Sequence, residues 1–297
     1  MSAIAKCPAG CGAAPSPAFA GGSFAVVRCP QCGVFLLEDA RPGRGAALDK
    51  TQFTDAFRTL RASNYEHILD DIARYKPLQG AHVLDVGSSS GWFLQAAARR
   101  GCRCFGIEPD PFFCEGARAS LPVGAEVIEG HFPEDVPAAW GAFDVITFHD
   151  VFEHLDDPQA VLTACGARLA PGGLVVLSLP SAGGFVYRLG MLLYGLGWKK
   201  PLERMFQVNY PYPHLFYFTS ESLTRLAANA GFDVVHMGRI DGFAVNGSLS
   251  RARLDERGNA MQGAGQYAMA LALVGMALVQ RALPADNVYV ILRPRSA

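Results

Sequence analysis

The 297-residue chain is 50% hydrophobic and 18% charged, which excludes an intrinsically disordered protein and is enough for one large domain with a real core, or for a domain with a small appendage. With 26 basic and 27 acidic residues its net charge is −1, so no overall field draws it to nucleic acid. The first residues carry no apolar run of the kind a secretory leader needs, and the longest apolar run, 267–279, falls short of the roughly 20 residues of a membrane span, so a cytoplasmic protein is expected.

Residues 1–40 read as a unit of their own. Cys7-Pro-Ala-Gly-Cys11-Gly and Cys29-Pro-Gln-Cys32-Gly form two knuckles with seventeen residues between them. Four thiolates at this spacing can wrap a structural zinc ion tetrahedrally, with Pro and Gly shaping each turn; disulfides and free thiols are the alternatives. A shell of four cysteines leaves no open catalytic position, and so small a unit would owe much of its stability to the metal. Its charged residues are few (Lys6, Arg28, Glu38, Asp39), so this zinc-ribbon-like module carries no nucleic-acid signature. Cys102, Cys104, Cys114 and Cys165 lie in apolar sequence and read as core thiols.

Residues 41–49 read as a linker opening a second domain, 41–297. Phe57, Leu60, Ile68, Leu69 and Ile72 predict one or two helices within 53–74, stopped by Pro77 and Gly80. From 82 to 180 strands alternate with helices: strands at 82–86, 104–107, 126–128, 143–148 and 174–179, helices at 92–100, 109–119 and 160–169. The strand runs are apolar without alternation, the mark of a parallel sheet covered on both faces, and strand–helix–strand repeats imply right-handed crossovers. Residues 181–218 break the rhythm with Tyr, Phe, Leu, Gly and Pro. Thr219 is an N-cap candidate for a helix carrying Leu223 and Leu226, Gly231 ends it, and a strand at 232–237 follows. A polar stretch over 239–266 leads to an apolar helix at 267–283 and a closing strand at 287–292.

The insertions 181–218 and 239–286 hold two apolar segments. FVYRLGMLLYGLGW at 185–198 is followed by Lys199 and Lys200, and YAMALALVGMALV at 267–279 by Arg281. Such segments must be covered, by the protein's own core, by a second copy in a homodimer, or by a membrane surface met peripherally. Aromatics exposed within 181–218 would favour an apolar or aromatic substrate.

The sharpest signal is Val83-Leu84-Asp85-Val86-Gly87-Ser88-Ser89-Ser90-Gly91-Trp92-Phe93, at the carboxyl end of the first of these strands and the start of a helix. Glycine lets a ligand approach the backbone, and the helix N-terminus supplies unpaired amides. No Lys follows, as the phosphate-binding P-loop requires, and Ser89 stands where a dinucleotide fingerprint has glycine. Open α/β sheets bind ligands in the crevice outside their strand ends. Glu108, 23 residues after Asp85, ends the next strand, where an acid can accept hydrogen bonds from two ribose hydroxyls.

These segments, taken in order as VLDVGSSSG, FGIEPD, FDVITFHDVFEHLDDP, LAPGGLVVLSLP and YPYPHLFYFTSESLTRLAANAGFDVV, resemble the class I S-adenosylmethionine-dependent methyltransferases over residues 55–238. The subgroup is that of small-molecule enzymes including ubiquinone-biosynthesis and sugar-tailoring methyltransferases. The resemblance implies an α/β fold: a Rossmann-like, seven-stranded, mostly parallel sheet with helices on both faces. It implies S-adenosylmethionine as cofactor, with Asp85 orienting its methionine end and Gly87, Ser89 and Gly91 forming the turn beneath, Ser89 replacing the usual middle glycine. Glu108 would bind the ribose, Pro109 and Asp110 would border adenine, and Gly130, His131 and Phe132 would form the adenine rim. Trp92 or Phe93 would either face the sulfonium or pack.

His149, at a strand end near the methionine and the methyl acceptor, and His214, in the irregular segment, are the candidates for a proton-accepting group, with Asp150 and Glu153 as further possibilities. His154 reads as a packing or capping residue, and Asp156 and Asp157 as helix-start residues. The expected activity is methyl transfer to a small, apolar or aromatic acceptor at oxygen. The alternatives are carbon methylation of a sugar or lipid-linked substrate and a binding protein that keeps the fold without catalysis; a nicotinamide oxidoreductase is disfavoured by the glycine pattern.

Overall fold

In chain order the strands are β1 (Ser16–Ala20), β2 (Ala25–Arg28), β3 (Phe35–Glu38), β4 (His82–Val86), β5 (Arg103–Glu108), β6 (Glu126–Glu129), β7 (Phe143–His149), β8 (Leu169–Pro180), β9 (Phe216–Tyr217), β10 (Phe232–Ile240) and β11 (Asn287–Pro294). The helices are α1 (Lys50–Ala73), α2 (Trp92–Arg99), α3 (Pro111–Ser120), α4 (Pro158–Arg168), α5 (Phe185–Gly195), α6 (Lys200–Met205), α7 (Ser220–Asn229) and α8 (Ala264–Val279). The computed structural model describes residues 6–20, 24–38, 50–208, 212–245, 248, 252 and 264–295. The linker expected at 41–49 and most of the polar stretch before α8 lie outside them.

Seven strands make one sheet in the order β10-β11-β8-β7-β4-β5-β6. The run from β8 to β6 is parallel, while β11 joins β8 and β10 joins β11 antiparallel. Alternate side chains of the central strands enter two different cores, as the pleat requires. Leu84, Ile146, Phe148, Val175 and Leu177 pack with Leu162 and Cys165 of α4 and Leu223 and Leu226 of α7. Val83, Val145, Leu174 and Val176 pack with Ile68, Leu69 and Ile72 of α1, Phe93 and Leu94 of α2, and Cys114 and Ala117 of α3. The sheet is therefore covered on both faces, which is why its strands read as uninterrupted apolar runs.

Local signals place the helix starts. Asp157 accepts from the Ala160 amide at 3.0 Å with Pro158 at the first helical position, so α4 begins two residues before the periodicity indicates. Thr219 caps α7, and Ser222 answers it in a capping box. Helix α1 is one continuous helix, held to the far edge of the sheet by buried Asp71, which receives the Tyr289 hydroxyl proton, pairs with His236 at 3.1 Å and with Arg74 at 2.9 Å.

A second, antiparallel sheet has the order β1-β2-β3-β9. Its first three strands belong to the cysteine unit, and its last is two residues long and lies far along the chain. Phe35 and Leu36 pair with Tyr217 and Phe216, and the Leu37 amide donates to the Leu215 carbonyl at 2.9 Å. Thr219 Oγ1 donates to the Cys32 carbonyl (2.7 Å), and Asn229 Nδ2 to that of Ala9 (2.7 Å). The cysteine unit thus shares its core with the larger sheet.

Helices α5 and α6 pack against the same unit, Tyr187, Leu202, Phe206 and Tyr217 closing over Phe19, Val26 and Leu37. This corrects the expectation of exposed aromatics over 181–218. Tyr187, Phe206, Phe216, Tyr217 and Phe218 are buried against the cysteine unit and the main core, and Trp198 and Tyr212 remain exposed. Helix α8 is the opposite case: none of its described side chains is buried, and Leu271 and Leu278 are each 73% exposed. No described helix is long and apolar enough to cross a membrane.

Candidate active site

The loop after β4 turns through left-handed backbone at Gly87 (φ +70°), Ser89 (φ +47°) and Gly91 (φ +75°). Serine therefore keeps at position 89 the conformation that favours glycine. At Gly87 a β-carbon would lie 2.5 Å from Val151 Cγ2, so the loop closes tightly over the end of β7. Two amides anchor the Glu108 carboxylate: Ser89 N–H donates to Oε2 at 2.8 Å and Asp110 N–H to Oε1 at 2.9 Å. The loop and the acid ending β5 are one hydrogen-bonded unit. Asp110 also caps α3 by accepting from Phe112 N–H at 3.0 Å, and Pro109 is half-buried between them.

Asp85 is buried beneath this loop, its Oδ1 accepting the Thr147 hydroxyl at 2.7 Å. Burial, then the Glu108 charge, push its carboxyl up to about 7, against the Thr147 hydrogen bond and the Arg61 cation. Gly130 follows β6 and donates to the Glu108 carbonyl at 3.3 Å. The His131 amide donates to Asp135 at 2.8 Å while its ring is exposed, and Phe132 packs edge-on against Phe148, 5.8 Å between ring centres.

His149 ends β7 in a wall of rings, 4.3 Å from Phe93 and 4.9 Å from Tyr65. Its Nδ1 is 2.9 Å from Ser178 Oγ, and its buried Nε2 has no hydrogen-bond partner among the described residues. Burial and the Arg61 cation lower its pKa to about 3. As it stands in this site, His149 favours its neutral form near neutral pH. Phe93 is core packing, and the Trp92 ring already has the Arg61 guanidinium 6.0 Å from its centre.

Arg61 and Tyr65 of α1 escape the sequence reading. Arg61 Nη2 meets Asp150 Oδ2 at 2.9 Å, and Asp150 itself holds left-handed backbone (φ +54°) just past β7. The available signal is spacing: positions 61, 65, 68 and 72 lie on one helical stripe, so Arg61 extends the buried row of Tyr65, Ile68 and Ile72.

His214 is grouped with Glu153 and His154 rather than with His149. One ligand atom from each of these three residues lies within 4.8 Å of the others. Burial and neighbouring His154 hold His214 well below the usual imidazole range. Asp156 and Asp157 are exposed helix-start residues.

The four sulfurs of Cys7, Cys11, Cys29 and Cys32 also lie within 4.8 Å of one another, with Cys7 and Cys32 Sγ atoms 3.5 Å apart. Tetrahedral zinc with Zn–S near 2.3 Å spaces its sulfurs about 3.8 Å apart. The cluster fits that geometry, and its cysteines are not disulfide-bonded.

Comparison with known proteins follows this geometry. A family model described as a methyltransferase domain matches residues 57–237. The ubiquinone biosynthesis O-methyltransferase of Xanthomonas campestris pv. campestris (strain B100) is 38% identical over 113 residues, which is 37% of this chain and 47% of that protein. The enzyme of the same name from Cereibacter sphaeroides is 36% identical over 110 residues, 36% of this chain and 44% of that protein. The chain spans about half the length of the curated relatives it matches. Among solved structures, the cyclopropane synthase MmaA2 from Mycobacterium tuberculosis is similar with a TM-score of 0.55 at 18% identity, covering 76% of this chain and 83% of that one. Magnesium protoporphyrin IX methyltransferase from Synechocystis PCC 6803 gives 0.52 at 11% identity, covering 85% and 90%. These two share the fold.

Proposed function

The chain belongs to the methyltransferase-domain family, and from that premise we propose that it moves a methyl group from S-adenosylmethionine to a small apolar or aromatic acceptor, at oxygen. The observation that carries the reading is the joined loop and acid: amides of Ser89 and Asp110 aim the Glu108 carboxylate while Gly87 and Gly91 turn the backbone beside it. A carboxylate held this way is a ready acceptor for a vicinal diol. Asp85 would hold the methionine end, and Asp110 with the 130–132 turn would border the adenine. The bound cofactor supplies an already activated methyl group on a positively charged sulfonium. The protein's own part is placement and dryness: Tyr65, Phe93 and His149 would wall the end of β7 against water. Oxygen as the accepting atom is supported by the name of the relatives, O-methyltransferases of ubiquinone biosynthesis.

We further propose that the four cysteines hold structural zinc. The apolar faces of α5 and α8 would rest on an anionic membrane surface that carries the acceptor. The start of α5 meets the segment that follows the end of α8, the Phe185 amide donating to the Pro284 carbonyl at 3.1 Å. Exposed Leu192, Leu196, Trp198, Leu271 and Leu278 lie close in sequence to Lys199, Lys200 and Arg281.

Calorimetry tests the function. The protein should bind S-adenosylmethionine and not NAD, and Glu108→Ala should weaken binding at least about tenfold while leaving the circular dichroism spectrum unchanged, in keeping with the loss of charge-assisted hydrogen bonds. Binding of neither compound by the unaltered protein would overturn the assignment.

A further inference from the structure

Glu153 is a deeply buried carboxyl beside His154 and His214. Its side chain is 1% exposed, and neither carboxylate oxygen has a hydrogen-bond partner among the described residues. Burial, then the neighbouring Asp150 charge, push its carboxyl well above the usual range. Buried carboxylates are ordinarily paired, hydrogen-bonded or bound to a metal. The nearest basic atom given for Glu153 is His214 Nε2, 3.9 Å from Oε1, too far for a hydrogen bond.

The two histidines beside it are already set in one tautomer. His154 Nδ1 lies 2.8 Å from the Pro213 carbonyl oxygen. A carbonyl only accepts, so Nδ1 carries the proton and Nε2 the lone pair. His214 Nδ1 lies 3.2 Å from the Tyr217 hydroxyl, which donates its own proton to the Met205 carbonyl at 2.9 Å. Tyr217 must therefore accept from His214 Nδ1–H, and the lone pair again falls on Nε2, where the Gln207 side-chain amide is the present partner at 3.0 Å. Metal-bound histidines take this form, the outer ring N–H fixed by an oxygen and the inner nitrogen bare for the ion. Backbone hydrogen bonds set the spacing, since Leu215 N–H donates to the Glu153 carbonyl at 2.9 Å and His214 N–H to that of Phe206 at 3.0 Å.

We propose that Glu153, His154 and His214 bind one divalent metal ion of the Zn2+ or Mn2+ type, a site separate from the four cysteines. One carboxylate and two imidazoles make a mixed donor set that suits such ions and leaves coordination positions open. The ion neutralises Glu153 and displaces the Gln207 amide from His214. Glu153 and His154 lie four and five residues past His149, just beyond the end of β7. An acceptor hydroxyl on an open position of the ion would lose its proton to water more readily. That role rests on the methyl-transfer reading above, whereas the binding of the ion does not.

Manganese is the probe, because thiolate clusters select softer ions and the cysteine site should ignore it. Full-length protein dialysed against a mild chelator is titrated with MnCl2 and followed by loss of the free-ion electron paramagnetic resonance signal. The expected result is uptake of about one Mn2+ per chain, weakened at least about tenfold in Glu153→Gln and in His214→Ala and unchanged in Asp156→Asn. Mn2+ should also raise the melting temperature of the parent protein but not of Glu153→Gln, a comparison that holds even if one variant folds poorly. If tightly held zinc blocks uptake, the parent should contain one more zinc per chain than Glu153→Gln. Equal uptake by the parent and both variants, or no uptake with equal zinc content, overturns the proposal. Cofactor calorimetry reads the methyl-transfer assignment separately: metal uptake without cofactor binding sinks that assignment alone, and the reverse sinks this one alone.

Discussion

Replacing Asp85 with asparagine should make the cofactor-free protein more stable near neutrality while weakening its hold on S-adenosylmethionine. Asp85 is 3% exposed, and burial followed by the Glu108 charge raises its pKa to about 7. In an unfolded chain an aspartate titrates near about 3.9. Between those values the folded state holds the extra proton. The stability this group allows is therefore complete below the unfolded pKa and is lost as the pH rises through the folded one. Each pH unit in that window corresponds to about 1.4 kcal/mol, so between about pH 5 and about pH 7 the variant should gain on the parent by about 3 kcal/mol, with no further change above. Asparagine preserves the shape, and its Oδ1 can still accept the 2.7 Å hydrogen bond from Thr147. Urea denaturation of both proteins at intervals from about pH 5 to about pH 8 gives the difference directly, and titrations common to both cancel. A difference that stays flat with pH, or a parent more stable than the variant at about pH 8, refutes the account of Asp85 as a buried carboxyl held ready for a cationic ligand.

Cys29→Ser should remove about one zinc per chain and lower the melting temperature of the whole protein by on the order of 10 °C, because the cysteine unit shares a sheet and a core with the larger domain; zinc quantitation and a thermal melt read both effects. The pair Leu271→Asp and Leu278→Asp should reduce flotation with anionic vesicles about 100-fold or more, given the apolar burial that two leucines contribute. A parent protein that does not float, or a parent dimer that these changes convert to a monomer, would replace the membrane with a second subunit.

What could be read from the residues was local. The strands at β4, β7 and β8 announce themselves as apolar runs because both faces of the sheet are covered, and Thr219 and Asp157 mark helix starts through hydrogen bonds spanning three residues. The loop from Asp85 to Gly91 is legible for the same reason. What escaped depends on contacts across the chain. Nothing near Phe216 and Tyr217 says that these two residues pair with β3, which lies about 180 residues earlier. The aromatics over 181–218 looked available for a ligand because the surface of the cysteine unit that buries them could not be foreseen. Arg61 was hidden in an amphipathic pattern whose polar end faces the interior instead of solvent. His149 was marked by its place at a strand end, but its lowered pKa follows from burial among Phe93 and Tyr65 and from the Arg61 cation. Glu153, His154 and His214 were each noticed singly. Their meeting is set by the Leu215–Glu153 backbone bond, which no spacing rule encodes.

That same bond is one rung of a ladder. The Leu37 amide reaches the Leu215 carbonyl, and the Leu215 amide reaches the Glu153 carbonyl, each at 2.9 Å. A shortened protein that started at α1, as one would design to isolate a minimal catalytic fragment, would strip the outer rung, leave β9 as a bare edge, and turn Phe216 and Tyr217 toward water. The amino-terminal ribbon is better regarded as a splint across the segment that carries His214 than as a detachable accessory.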